Sequence, residues 1–472
     1  MTQVSLGIVH VSWQRPPRNM QTPWRERCGS PGKGFCHQFD DARPLGGRVS
    51  DLEPMGAPAS RVPLIYLYVP ISVAREYRPV TRSPLGCVKA SLLRLRDRLG
   101  WTLLRSHAFD YHAWRKTEYT NRGDIAIRQA IRQFLERKLG YAAQFVELDW
   151  GCLDDDAVAR INAGAALFVI CGGGYVSADA ATGMLSAVMN DVAALAKIRC
   201  PVVAFGIGYN RVLECPRNEM AKILPPDTVE KLKELLAACD FIASRDKKLA
   251  QILAEYADAP IPVIGDPALF LDTAVQKPRA AEQRGAGSIN VGLNLALHGP
   301  ISAGIFRTHF EVYADFLKMV QQSQPVRFWY FIHCETERIA VALLRKRGVH
   351  VEVVDVPPRE LIAAYSQMDF VICQMLHASI LSANAGVPSI NIGYDVKNAS
   401  FYDLMGQPEL CVPHDEISVD RLWSLWGAAF VRRAELASQL GLRKAALLGD
   451  TGQAVNRMTA LLGQKTSADL HA

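Results

Sequence analysis

The residues best suited to chemistry in this sequence stand where apolar runs end. Arg245 closes the run DFIASR and is followed by Asp246. A guanidinium there suits a carboxylate or a phosphate, because its planar fork matches either in bidentate geometry. Asp266 closes IPVIGD before Pro267 and can serve a turn or orient Arg245. His377 lies in Gln374-Met375-Leu376-His377-Ala378, at the start of a helical stretch after the run DFVIC. The positive end of a helix disfavours an imidazolium, and a bound phosphate reverses that preference. A hydrogen-bonded structural histidine is the plain alternative. Asn121-Arg122-Gly123-Asp124 precedes another helical stretch, where Asn121 can cap free N–H groups and Gly123 permits close approach of backbone to a ligand. Gly172-Gly173-Gly174 follows ALFVIC, and successive glycines expose amides that can cradle an anion. A turn or packing role would need the same residues. Gly206-Ile207-Gly208 ends the next run and again allows close approach. Neither glycine cluster has the GxGxxG spacing with its distant acidic partner, so a standard dinucleotide fingerprint is excluded. No set of His, Cys, Asp and Glu has metal-ligand spacing, and no metal is expected. Asp154-Asp155-Asp156 opens a helical stretch and suits its dipole.

The elements that must position these residues alternate along the chain. VPLIYLYVPI from 63 reads as a buried strand or an extended arm, and the apolar runs after it are WTLLR from 101, AQFVEL from 143, ALFVIC from 166, PVVAFGIG from 201, DFIASR from 240 and IPVIGD from 261. A second series follows: INVGLNLAL from 289, VRFWYFIH from 326, VHVEVVDV from 349, DFVICQ from 369 and PSINIG from 388. The runs of the first series are short and apolar on both faces, as parallel strands covered by helices are. Between them lie amphipathic stretches; over 123–139, Ile127, Ile131, Phe134, Leu135 and Leu139 share one face and Gly140 supplies a stop. The pattern predicts an α/β chain of two Rossmann-like parallel-sheet domains, 63–275 and 289–415. A linker at 276–288 joins them, and helices with a polar tail over 416–472 follow. Tandem domains of this kind place ligands in the cleft outside the carboxyl ends of their strands.

Residues 1–62 read differently. They are rich in Pro, Gly and Arg and show neither helical nor strand period, a loop-like composition that fits a regulatory tail or sequence upstream of the true start. Deleting residues 1–60 is expected to leave the melting temperature nearly unchanged; a collapse of soluble expression would refute this.

Composition narrows the function classes. The net charge of +6 is spread along the chain, which fits acidic small molecules better than nucleic acid. No uninterrupted apolar stretch of about 18 residues or more occurs, and the first residues lack the basic and apolar segments of a secretory signal. The 11 cysteines form no CxxC pair, and several sit inside apolar runs, as buried thiols in a reducing compartment do. A cytoplasmic protein is expected.

In order, NRGD at 121–124, CGGG at 171–174, GIG at 206–208, SRD at 244–246, DP at 266–267, LH at 376–377, AGVPSI at 385–390 and YDVK at 394–397 resemble the polysaccharide pyruvyl transferase family. The resemblance covers about residues 100–412. It implies a GT-B-like fold and transfer of a pyruvyl group from phosphoenolpyruvate to a sugar of a surface glycan, forming a ketal, with no cofactor. The implied donor site comprises Arg245, Met375, Leu376, His377 and Lys397, with Arg245 and His377 catalytic. Asn121, Gly123, Asp124, Gly172, Gly173, Gly174 and Gly208 would face donor or acceptor. The acceptor would be a sugar or lipid-linked glycan, with peripheral contact to a membrane-bound assembly and no nucleic acid. One position departs: the family's run is Arg-Leu-His, and here Met375 replaces the arginine. His298, Arg307 and Lys397 are the cations that could compensate. Met375 also admits a nucleotide-sugar glycosyltransferase or an inactive glycan-assembly scaffold. Arg245→Ala and His377→Ala are each expected to fold normally and lose turnover.

Overall fold

The computed structural model describes residues 62–70, 121–140, 143–177, 191–210, 226–272, 288–295, 300–334 and 337–463. The N-terminal extension before residue 62, the run WTLLR, most of the 276–288 linker and His298 lie outside them.

The first sheet is built from β1 (Leu64–Val69), β2 (Gln144–Asp149), β3 (Leu167–Cys171), β5 (Val202–Ile207) and β7 (Phe241–Ser244). All pairings are parallel and the order is β2-β1-β3-β5-β7. Two short strands, β4 (Val176–Ser177) and β6 (Tyr209–Asn210), pair above it. The helices of this half are α1 (Arg122–Lys138), α2 (Asp155–Gly164), α3 (Val192–Leu195), α4 (Pro226–Ala238) and α5 (Lys247–Ala254). Alternation along β1 sets the layering: Ile65, Leu67 and Val69 enter one core, and Tyr66 and Tyr68 enter the other.

The second sheet comprises β8 (Ile289–Asn294), β9 (Val326–Phe331), β10 (Val351–Val354), β11 (Phe370–Cys373), β12 (Ser389–Gly393) and β13 (Cys411–Pro413), in the order β10-β9-β8-β11-β12-β13. Its helices are α6 (Pro300–Ser323), α7 (Arg338–Lys346), α8 (Pro358–Tyr365), α9 (Leu376–Asn384) and α10 (Val396–Met405), and α11 (Val419–Val431) and α12 (Arg433–Ala460) complete the chain. The expected GT-B-like arrangement of two parallel-sheet α/β domains with C-terminal helices is therefore present. The two sheets are not identical. The second has the dinucleotide-fold order and the first the flavodoxin-like one, and both orders create a switch point where neighbouring crossovers diverge.

One run behaves differently from the strand reading. IPVIGD makes a single bridge, Val263 to Ser244, because Pro260 and Pro262 carry no N–H for a ladder. The run from 349 forms β10 at the sheet edge, with Glu352 and Val353 exposed. The predicted cap and stop of α1 are in place: the Asn121 carboxamide accepts from Gly123 N at 3.1 Å, and Gly140 has φ +62°.

The apolar core on one face of the first sheet continues into the second domain, joining Val203, Phe205 and Leu269 to Val291, Phe370 and Leu381. Each such fully buried side chain contributes about 1.5–3 kcal/mol. Polar stitches cross the same boundary. Asn384 Nδ2 donates to the carbonyls of Ala268 (2.9 Å) and Leu271 (3.0 Å), and Thr451 Oγ1 on α12 donates to Ile264 O at 2.9 Å. The elements that carry the site are thus held to one another through a shared core.

Candidate active site

The N-terminus of α1 meets the N-terminus of α9. A Cβ added to Gly123 would lie 2.0 Å from the Cγ and Nδ1 of His377, so the imidazole occupies the space above this glycine. Asp124 follows, with Oδ1 4.0 Å from His377 Nε2. Arg122 anchors this end of α1 to the second domain. Its N–H donates to His333 O at 3.1 Å, and its guanidinium bonds Ile332 O and pairs with Asp355.

Arg245 stands after β7 and is 5% exposed. Its Nη1 donates to Asp266 Oδ2 at 3.0 Å, its Nη2 to Asn210 Oδ1 at 3.3 Å, and its Nε lies 4.0 Å from Asp246 Oδ2. The orienting role anticipated for Asp266 is therefore seen in the geometry. Asp266 Oδ1 accepts from Ala268 N at 3.0 Å, and Asp246 caps α5 through Leu249 N at 2.8 Å. Lys397 enters from α10, whose cap Asp395 accepts from Lys397 N at 3.0 Å; its ammonium is 3.8 Å from Asp395 and over the Tyr394 ring at 5.5 Å.

Electrostatics tie these groups into one site. Burial pushes the Asp124 carboxyl up to about 7; Arg245 and Lys397 pull against that shift, and Asp266 adds to it. Burial also opposes the charge on Lys397, but Tyr394 and Asp395 outweigh it and hold the ammonium above its usual range. Burial raises Asp266 and Asp246, each opposed by Arg245. The result is a carboxyl raised to about 7 under the pull of two cations, beside an imidazole at a helix N-terminus. Such a set can hold an anion and move a proton.

The glycines have an unexpected use. The Cβ position of Gly172 is filled by Ile127, that of Gly173 by Trp150, that of Gly174 by Asn210 and that of Gly208 by Arg245. Gly172 N already donates to Phe205 O at 2.9 Å. The close approach these glycines permit is to the protein's own side chains. Asn210, which touches Arg245, was not singled out by sequence; its only signal was its place two residues after Gly208.

Met375 and Leu376 are each 4% exposed and pack in the shared apolar core. Among the named compensating cations, Lys397 is the one whose charge acts on Asp124 and faces that of Arg245, whereas Arg307 lies on α6. Met375→Arg would place a guanidinium among apolar side chains, and a loss on the order of 3–5 kcal/mol is expected in thermal unfolding. Unchanged or raised stability would show that the new charge finds a partner.

Asp154 caps α2, accepting from Ala157 N at 2.8 Å. No disulfide joins the described cysteines to one another; burial raises the Cys171 thiol and pushes Cys373 up to about 11, which keeps both protonated at neutral pH. Among the described residues no group of three or more His, Cys, Asp or Glu side chains is placed to hold a metal ion, and no helix is long and apolar enough to cross a membrane.

Fold and site together define a two-domain α/β protein in which a raised carboxyl and an imidazole stand at facing helix ends, within the electrostatic reach of two cations. The family model for polysaccharide pyruvyl transferase matches residues 121–396, more than half of the chain, from the Asn121 cap through the first residue of α10. The chain belongs to the polysaccharide pyruvyl transferase family. No curated protein matches the chain. Solved structures similar to it include a putative UDP-N-acetylglucosamine 2-epimerase from Listeria monocytogenes, at 10% identity and TM-score 0.45, covering 85% of this chain and 95% of that one. Another is an α,α-trehalose-phosphate synthase (UDP-forming) from Burkholderia vietnamiensis, at 12% identity and TM-score 0.41, covering 85% and 97%. At these scores neither bears on the chemistry.

Proposed function

We propose that this protein transfers a pyruvyl group from phosphoenolpyruvate to two hydroxyls of a glycan sugar, in the cytoplasm, on a free or lipid-linked acceptor. One observation carries the reading: Asp124, 4.0 Å from His377 where α1 faces α9, lies within the electrostatic reach of both Arg245 and Lys397. Arg245 and Lys397 hold the phosphate and carboxylate of the donor. Asp124, neutral below about pH 7, gives its proton to the methylene carbon. One sugar hydroxyl attacks C2 and loses its proton, which restores the acid. Phosphate leaves with its bridging oxygen, and the second hydroxyl closes the ketal as its proton departs with the phosphate. His377 sits beside the carboxyl and takes the leaving phosphate or the hydroxyl proton. The cations stabilise charge on the departing group without rearranging.

A second reading, a glycosyltransferase using a nucleotide sugar, is favoured by Met375, which stands where the family's run has an arginine. A donor assay separates the two. Phosphate release from phosphoenolpyruvate that depends on a sugar bearing neighbouring hydroxyls supports pyruvyl transfer. Nucleotide release from a UDP-sugar, with none from phosphoenolpyruvate, overturns it.

A further inference from the structure

Arg245 is surrounded by more negative charge than positive. Asp266 takes Nη1 at 3.0 Å and Asp246 lies 4.0 Å from Nε. The third partner, on Nη2, is neutral: Asn210 Oδ1 at 3.3 Å. Asn210 ends the two-residue strand β6, whose pairing with β4 fixes it beside the loop after β3. That loop makes room for it. A Cβ on Gly174 would lie 1.8 Å from Asn210 Nδ2 and 2.3 Å from its Cγ. Gly174 does not have the positive φ of Gly172 and Gly173, so its backbone needs no glycine; the carboxamide above it does. The third glycine of the triplet and Asn210 are therefore one device.

We infer that Asn210 is the positioning residue for Arg245: with Asp266 it fixes the plane of the guanidinium, and its neutrality keeps the site cationic enough to accept a phosphate-bearing donor. An aspartate of the same shape would give the guanidinium a third carboxylate within about 4 Å, and the site would no longer favour an anion. This rests on the reading of Arg245 as a donor-binding cation.

Titration calorimetry of the full-length protein with phosphoenolpyruvate, and separately with inorganic phosphate, tests it. Asn210→Asp is expected to weaken binding on the order of tenfold or more, with the loss shrinking as pH falls and the new carboxyl is protonated. Asn210→Ala frees one edge of the guanidinium, and its loss should not depend on pH in this way. Gly174→Ala is expected to weaken binding alone but to add nothing in an Asn210→Ala background, since its methyl then meets no carboxamide. The melting temperature is measured for each variant, so that a folding defect is recognised. Affinities within twofold of wild type in the Asn210 variants, or an additive Gly174→Ala effect, overturn the inference alone. Wild-type protein that binds neither anion overturns the donor reading and this inference together.

Discussion

Arg245→Ala is expected to lower stability by about 3–5 kcal/mol in addition to removing donor binding, because it leaves a buried carboxylate without its partner. The sequence position suggested a residue dispensable for folding, since Arg245 stands at a strand end. The structure places it at 5% exposure against Asp266 at 2%. Without the guanidinium, Asp266 keeps only the Ala268 amide, and burial raises its carboxyl further above the unfolded value. The sign follows from linkage. A carboxyl whose folded pKa is raised binds more protons folded than unfolded, so stability is lost as pH rises through that folded value. The deficit of Arg245→Ala should therefore be largest at neutral and alkaline pH and narrow towards pH about 4, near the unfolded carboxyl. Arg245→Ala/Asp266→Asn should recover much of the lost stability without recovering donor binding. Urea unfolding at pH 5 and pH 8 measures both effects; an undiminished melting temperature in Arg245→Ala would contradict the burial argument.

Asp124→Asn is expected to reduce turnover by about 10²–10⁴-fold, the usual contribution of a positioned acid, while donor affinity is kept or improved. The same carboxyl predicts the pH profile. It is pushed up to about 7 by burial, against the pull of Arg245 and Lys397, so the wild-type rate should fall as pH rises through that value. Stability moves the same way. The raised pKa contributes stability that is full below the unfolded value and is lost as pH approaches and passes about 7. Asp124→Asn should consequently be more stable than wild type at pH 8 and near parity at pH 4, a trade of stability against function. A wild-type rate in this variant, or a pH limb that survives it, would remove Asp124 from the acid role.

Much of the architecture was legible because local patterns and the fold agree. The runs that became β3 and β5 are apolar on both faces, and Asn121, Asp154 and Gly140 mark helix ends by types that suit those positions. Strand order was not legible, since no local signal says that β1 lies between β2 and β3. The site was legible as a set of strand-end residues but not as a geometry. Glycines announce that something comes close without saying what; here Trp150, Asn210 and Arg245 do so, from positions 23 or more residues away. Met375 shows the same limit. Its type can line a cleft or fill a core, and only long-range packing places it at 4% exposure.

The most direct test of the account is the appearance of an acceptor-linked ketal when full-length protein is incubated with isotope-labelled phosphoenolpyruvate and a glycan bearing neighbouring hydroxyls. Pyruvyl transfer by protonation of the methylene carbon predicts label in a ketal methyl group, one phosphate released per ketal, and solvent deuterium incorporated once into that methyl in heavy water. Label that stays in phosphoenolpyruvate under every acceptor tried, while a UDP-sugar is consumed, would contradict it.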